Sequence, residues 1–478
     1  MKKLLLGTAA VALAATFVAS PANAQVKLDV GGYAKLYGTW LDQDEIGDDP
    51  DTAAVNESVD IRALDFARDT EIHFTGETTL DNGLTVGFHT ETHADASDAA
   101  GGGNTFNVEE SYAYFSGAWG RVNFGAEDGA TYLLQVAAPS ADTNYDGLRQ
   151  WVNPIRPGSL TNPGAYAAGA TPQDNVTLTD IFGGGAGSAF GAAGGGGIVT
   201  DNGAFGGTAN DVRFGPNAGV IGALGARLDY DHAVSGYENK LTYMTPVFNG
   251  FQGGVSWTPE LGSLVGTGIV GPGNNFDDTI GDYGTVWEVA ARYEGQWDQL
   301  GVAIGGGWSH AELEQAVAVT VAAPCANSLF FTDVDGGGAA DCDAGEGFGN
   351  RDDREAWNVG VDLDWRAFGL GAGYTEDDNG VSGDALETET WFIGGDYTTG
   401  PFKIGVSYLN QDQAFASAEV EQDRWTGGVI YTYGPGMTFR GSVSFTDYEE
   451  DIGTRTATTG ASGDADATSL LLGTQIDF

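Results

Sequence analysis

Residues 467–478 (ATSLLLGTQIDF) alternate apolar and polar side chains, and the sequence stops there on an aromatic. Successive side chains of a strand point to opposite faces. Thr468, Leu470, Leu472, Thr474, Ile476 and Phe478 therefore share one face, with Ser469, Gly473, Gln475 and Asp477 on the other. A soluble sheet can carry such alternation. A two-faced strand ending abruptly in Phe fits better as the closing strand of a membrane β-barrel, apolar toward lipid and polar toward the lumen. The opposite end supports that choice. Residues 1–24 begin with Lys2 and Lys3, continue through an apolar stretch over 4–18, and finish on Ala22-Asn23-Ala24. That is a charged start, a hydrophobic segment too short to cross a bilayer as a helix, and a small-residue cleavage site. Residues 1–24 are expected to be a cleaved signal peptide and 25–478 an exported barrel domain.

Period-2 segments recur along the chain between those ends. In 26–40, Val26, Leu28, Val30, Ala34, Leu36 and Trp40 face one way, and Lys27, Asp29, Tyr33, Lys35, Tyr37 and Thr39 the other. Comparable pairs follow at 68–80 with 84–93, 110–116 with 121–127, 239–245 with 251–258, and 286–296 with 301–311. Three more are 355–365 with 368–375, 389–398 with 402–410, and 424–433 with 437–448. With the first and last strands the expected count is about sixteen, an even number as bacterial barrels have.

Link lengths alternate as well. Asp81-Asn82-Gly83, Phe248-Asn249-Gly250, Arg366-Ala367, Thr399-Gly400-Pro401 and Gly434-Pro435-Gly436 are tight turns, built of residues that tolerate turn backbone. The other links are long and polar: 42–67, 95–107, 128–225, 259–285, 312–354, 376–388, 411–423 and 449–466. Short turns on one rim and long loops on the other are the periplasmic and exterior sides of an outer-membrane barrel, whereas a β-sandwich has no reason to segregate them. Trp40, Trp257, Trp287, Trp357, Trp365, Trp391 and Trp425 fall near strand ends on apolar faces, with Tyr293, Tyr397, Tyr431 and Tyr433, where headgroup-level girdles belong.

The chain carries 67 Asp plus Glu against 20 Lys plus Arg, a formal charge of −47. That surplus excludes nucleic acid as a partner, because phosphate backbones require Lys and Arg. It favours cations, either permeating ions or divalent ions bridging lipopolysaccharide.

Residues 26–37 (VKLDVGGYAKLY), 121–127 (RVNFGAE), 238–257 (ENKLTYMTPVFNGFQGGVSW) and the Phe478 ending resemble the general diffusion porins of Gram-negative bacteria, of the alphaproteobacterial kind. The resemblance implies a homotrimer of 16-stranded barrels in the outer membrane, each with a water-filled pore for ions and small hydrophilic solutes. It also implies a third long loop folded inward at the narrowest point, with acids facing a basic wall. Terminal Phe478 would be the signal read by the barrel assembly machinery. Here the third loop, 128–225, is unusually long and Gly-rich over 183–207, and its length leaves room for an added strand pair. Glu127, Asp128, Asp142 and Asp146 are the acids placed to line a constriction. Lys35, Arg121, Lys240, Arg292 and Arg440 are the bases whose strand parity puts them on polar faces.

Catalytic readings find little. His89, Glu91 and His93 (HTETH) share one face of a strand, where they are expected to line the lumen and have a spacing able to hold a metal. They do not form the helical H-E-x-x-H. Residues 266–271 match G-x-G-x-x-G without a βαβ context, and no G-x-S-x-G elbow or phosphate loop occurs. No enzyme and no required cofactor are expected. Cys325 and Cys342 share one exterior loop of an exported chain, so a disulfide is expected. Asp333, Asp335, Asp341 and Asp343 around them offer oxygen ligands for Ca²⁺, off the EF-hand spacing, beside the plainer reading of a solvated acidic loop. Of three function classes, the diffusion porin is favoured. A substrate-selective channel would need a dense basic track or aromatic slide. A receptor or hydrolase would need a plug domain or a catalytic constellation.

Overall fold

The computed structural model describes residues 26–43, 63–94, 107–138, 232–261, 283–314, 352–378, 380, 387–415, 418–451 and 465–478. The leader 1–24, Asp142, Asp146, both cysteines, the four Asp around them and the 266–271 match lie outside these residues.

The period-2 segments form sixteen strands: β1 (Lys27–Gln43), β2 (Leu64–Thr79), β3 (Thr85–His93), β4 (Asn107–Gly117), β5 (Gly120–Ala126), β6 (Asn239–Met244), β7 (Phe251–Thr258) and β8 (Tyr283–Trp297). They continue as β9 (Leu300–Leu313), β10 (Arg354–Trp365), β11 (Phe368–Asp377), β12 (Thr388–Thr399), β13 (Phe402–Phe415), β14 (Ala418–Gly434), β15 (Met437–Asp451) and β16 (Ala465–Asp477). Among the described residues one short helix, α1 (Ala130–Leu133), interrupts the pattern. Every strand pairs antiparallel with its sequence neighbours, and β1 pairs with β16, closing the barrel. Closure removes the sheet edges, which is what lets strands cross lipid.

The closing pair is tied at the chain's last residue. Gly32 N donates to Phe478 O and Phe478 N donates to Gly32 O, both at 3.0 Å. This seam lies on the rim of the short turns. There Gly436 has φ 67°, and a Cβ on it would lie 2.5 Å from the Asp477 carbonyl oxygen. Turn geometry and close approach together demand glycine.

Strand parity matches the sequence reading. In β1, Leu28, Val30 and Leu36 are exposed outward, while Lys35, Tyr37 and Thr39 are buried inward. The aromatics form two rows. One joins Trp257 with Trp287, Trp357 with Tyr374, Trp391 with Tyr408, and Tyr408 with Trp425. The other joins Phe251 with Tyr293, Trp365 with Phe368, Phe368 with Tyr397, and Phe402 with Tyr431. On β14 the rows are represented by Trp425 and by Tyr433, which stacks on Phe439. That separation, at about 3.4 Å per residue on strands tilted about 40°, sets them roughly 20 Å apart in height. A hydrocarbon core flanked by headgroup-level rings fits between them.

Two links differ from expectation. The seventh long loop, expected over 411–423, is a continued ladder in which Gln411 pairs with Gln422 and Phe415 with Ala418. Its acidic composition concealed strand pairing on both sides of 416–417. The third link runs from β5 to β6, over 127–238, and its described residues, 127–138 and 232–238, add no strand to the sixteen.

Candidate functional site: the lumen at the inward segment

Beyond β5 the chain turns into the barrel. Its first turn is helical, with Leu133 N donating to Gly129 O at 3.0 Å and Leu134 N to Ala130 O at 3.2 Å. The segment rests in a groove of small side chains on the inner wall. Gly254 of β7, Ala290 of β8 and Gly307 of β9 stand side by side across the ladder, and Gly305 stands opposite Gly360 of β10. A Cβ on Gly307 would lie 2.8 Å from Thr131 Cγ2. One on Gly305 would lie 2.7 Å from Leu134 O, and one on Gly360 only 2.0 Å from Val136 O. The wall is thinned where the segment must lie.

Polar groups fix it in place. Ala130 N donates to Ser256 Oγ at 2.8 Å. Glu288, buried on β8, accepts from Thr131 Oγ1 at 2.8 Å and from Ser235 Oγ at 3.1 Å. His232, fully buried where the third link returns, is held by Asn358 Nδ2 at 2.8 Å and by Ser309 Oγ at 2.7 Å. The amide of Asn358 donates to His232 Nδ1, so the ring proton sits on Nε2 and faces Ser309. Burial, with the Arg354 charge nearby, lowers the His232 pKa to about 3. It is therefore a neutral anchor at physiological pH. On its far side the segment reaches β12 and β13, where Tyr132 and Ala138 pack with the inward Phe392 and Leu409. The inward segment thus bridges walls and narrows the lumen.

Acids crowd the wall beside this bridge. Glu71 of β2, Glu91 of β3, Glu109 and Glu110 of β4, and Glu127 and Asp128 after β5 belong to one region. The β3–β4 register shifts between Glu91 and Thr92, and this irregularity brings consecutive Glu109 and Glu110 to the same inner wall. Glu109 is 3.2 Å from His93 Nδ1, while Glu110 accepts from Asp128 N at 3.3 Å. The Glu127 carboxylate accepts from Asn123 Nδ2 at 2.9 and 2.7 Å. Burial raises its pKa to about 7 despite that amide and the nearby Lys240 and Arg121.

The bases divide into two sets. Arg121 stays on the acidic wall, donating to Asn123 Oδ1 at 2.6 Å and lying 4.0 Å over the Tyr114 ring. Lys240 is also there, with Nζ donating to the carbonyls of Glu127 and Gly236, so it anchors the start of the third link. Lys35 on β1 borders the acidic wall, its Nζ 4.0 Å over the ring of Tyr33, whose hydroxyl donates to Glu71 at 2.9 Å, and Arg440 on β15 stands two strands further round. They flank Tyr37, which pairs with Gly473, the partner of Arg440. Arg292 is paired with Glu294 at 2.5 Å on β8. Sequence reasoning missed Arg354, which grips Asp377 at 3.0 and 2.6 Å, and buried Arg424 of β14. It also missed the groove, whose signal was glycine or alanine at inward parity on four successive strands, β7 to β10.

Solved structures of similar shape include an anion-selective porin from Comamonas acidovorans, at 14% identity and TM-score 0.47, covering 95% of this chain and 100% of that one. In-vitro folded OmpT, an outer-membrane protein of Vibrio cholerae, is similar at 12% identity and TM-score 0.48, with the same coverage. A Rh. blastica porin mutant follows at 15% identity and TM-score 0.42, again covering 95% and 100%. No curated protein matches the sequence significantly. A sequence model described as Gram-negative porin matches residues 9–215 and 171–451. With inward and outward faces, aromatic rows and a lumen-crossing third link in place, the chain belongs to the Gram-negative porin family.

Proposed function

We propose that this outer-membrane porin passes ions and small hydrophilic solutes by passive diffusion, prefers cations, and works as a homotrimer. The observation that carries the preference is the carboxylate wall of Glu71, Glu91, Glu109, Glu110, Glu127 and Asp128 beside the inward segment. A low-dielectric barrel wall focuses their field into the lumen. Of the bases beside them, Arg121 and Lys240 are engaged by Asn123 and by backbone carbonyls, and Lys35 lies over the Tyr33 ring. At an effective dielectric near 20, one unit charge about 4 Å from another is worth roughly 4 kcal/mol, enough for severalfold discrimination even after screening. Lipopolysaccharide held through divalent ions, recognition of Phe478 by the assembly machinery, and a Cys325–Cys342 disulfide in an exterior loop complete this reading.

The test is the zero-current potential of single channels in a planar bilayer under a KCl gradient. The sign should indicate K⁺ over Cl⁻, and Glu127→Gln with Asp128→Asn should reduce it. High salt should blunt the difference. Anion preference in the unaltered channel would refute the proposal.

A further inference from the structure

One cluster on the acidic wall joins imidazoles to its carboxylates. Across the β2–β3 ladder, His73 stands in register with Glu91 and Thr75 with His89. Glu91 Oε2 lies 3.6 Å from His73 Nδ1 and 3.4 Å from His89 Nε2. One donor atom from each of the three residues falls within 4.8 Å of the others. The His73 contact is longer than the usual ~2.7–3.2 Å of an N–H···O hydrogen bond, and the His89 contact is a long one. They match something else. Ligands about 2.0–2.2 Å from a tetrahedral ion are separated by about 3.3–3.6 Å along each edge.

Each imidazole is also steadied from behind. The remaining nitrogen of His73, Nε2, is 2.5 Å from Glu71 Oε1, and the remaining nitrogen of His89, Nδ1, is 2.8 Å from Thr75 Oγ1. An ionised carboxylate only accepts, so His73 carries its proton on Nε2 and turns the Nδ1 lone pair toward Glu91. In the tautomer whose Nδ1–H donates to Thr75 Oγ1, His89 turns its Nε2 lone pair to the same point. A carboxylate or hydroxyl gripping the far nitrogen is how metal-binding histidines are oriented and made more basic. The carboxylates of Glu71, Glu91 and Glu109 also converge, with one oxygen from each within 4.8 Å of the others. A dication would relieve their mutual repulsion.

We propose that His73, His89 and Glu91, oriented by Glu71 and Thr75, bind a divalent transition-metal ion of the zinc class on the lumen wall. Two imidazoles and one carboxylate suit Zn²⁺ rather than Ca²⁺ or Mg²⁺, which take all-oxygen shells. The fourth position faces the lumen and belongs to water. His93 of the same HTETH run is outside the set, because it turns to Glu109. The bound ion adds two positive charges beside the conduction path, so the channel becomes a sensor of the metal outside the cell.

The test is calorimetric titration of ZnCl₂ into the detergent-solubilised barrel, purified through EDTA. One zinc per chain is expected, and a hundredfold excess of CaCl₂ should not displace it. His73→Asn with His89→Gln should weaken binding at least 100-fold, and Glu71→Gln about 10-fold, while heat-modifiable gel mobility is kept. Absence of stoichiometric zinc in the unaltered protein, or undiminished affinity in the double variant, overturns the proposal. If the double variant fails to fold, the unaltered protein loaded with Co²⁺ decides. Intense tetrahedral visible bands support the site, and the weak spectrum of aqueous Co²⁺ overturns it.

Discussion

Placing a single methyl group beneath the inward segment probes whether the thinned wall sets the width of the pore. Gly360 points into the lumen from β10, and a Cβ there would sit 2.0 Å from the carbonyl oxygen of Val136 and 3.0 Å from its carbonyl carbon. Both are backbone atoms, so no rotamer change relieves the clash. Real Cβ contacts begin near 3.0 Å, so in Gly360→Ala either Val136 or β10 must move by about 3.0 − 2.0 = 1.0 Å. β10 is held by full ladders to β9 and β11, while Val136 follows a single helical turn. The segment should be the part that yields, and it can move only toward the lumen axis. Overpacking of this kind costs about 1–3 kcal/mol. Single-channel recording should show a smaller unitary conductance in Gly360→Ala, and the barrel should lose heat-modifiable mobility at a lower temperature. Gly427→Ala is the control, since a Cβ there meets nothing within 4 Å. Equal conductance and thermal stability in Gly360→Ala and the unaltered protein would refute the groove as the determinant of the segment's position.

Two further predictions follow from named groups. Glu127 has its pKa raised to about 7 by burial, so cation preference should climb as pH rises from about 6 to 8, and Glu127→Gln should abolish that step in zero-current potentials. Because the folded protein holds this proton more tightly than the unfolded chain, its stabilising contribution is full below about 4.5 and is lost as pH rises through about 7. Phe478→Ala keeps the backbone pair with Gly32 and removes only an outward ring that is 59% exposed. It should reduce insertion while leaving synthesis and export unchanged, and normal amounts of heat-modifiable barrel in membranes would contradict recognition of the ring.

The strands were legible because a lumen and a lipid face impose the same two-residue alternation everywhere, as in β1 and β16. Alternation also assigned Lys35, Arg121, Lys240, Arg292 and Arg440 to the inner face before any coordinates. It failed at 411–423, where acidic residues on both sides of 416–417 looked like loop but pair as strands. It was silent on Phe392 and Leu409, apolar residues on the lumen side whose only reason is the segment packed against them.

What one strand's period cannot supply is the register between strands, and the chemistry of this wall lives in the register. HTETH showed three ligands on one face, yet the set that converges takes His89 and Glu91 from β3 and His73 from β2, leaving His93 to Glu109. The same holds for the groove. Gly254, Gly305, Gly307 and Gly360 are unremarked among 76 glycines in the sequence, and only pairing of β7 through β10 aligns them under α1 and Val136. Lys240 illustrates the consequence for electrostatics. Its parity correctly sends it inward, but the turn at 127–129 brings the Glu127 carbonyl onto its ammonium. A charge expected to face the acids across the pore instead fastens the segment that bears them.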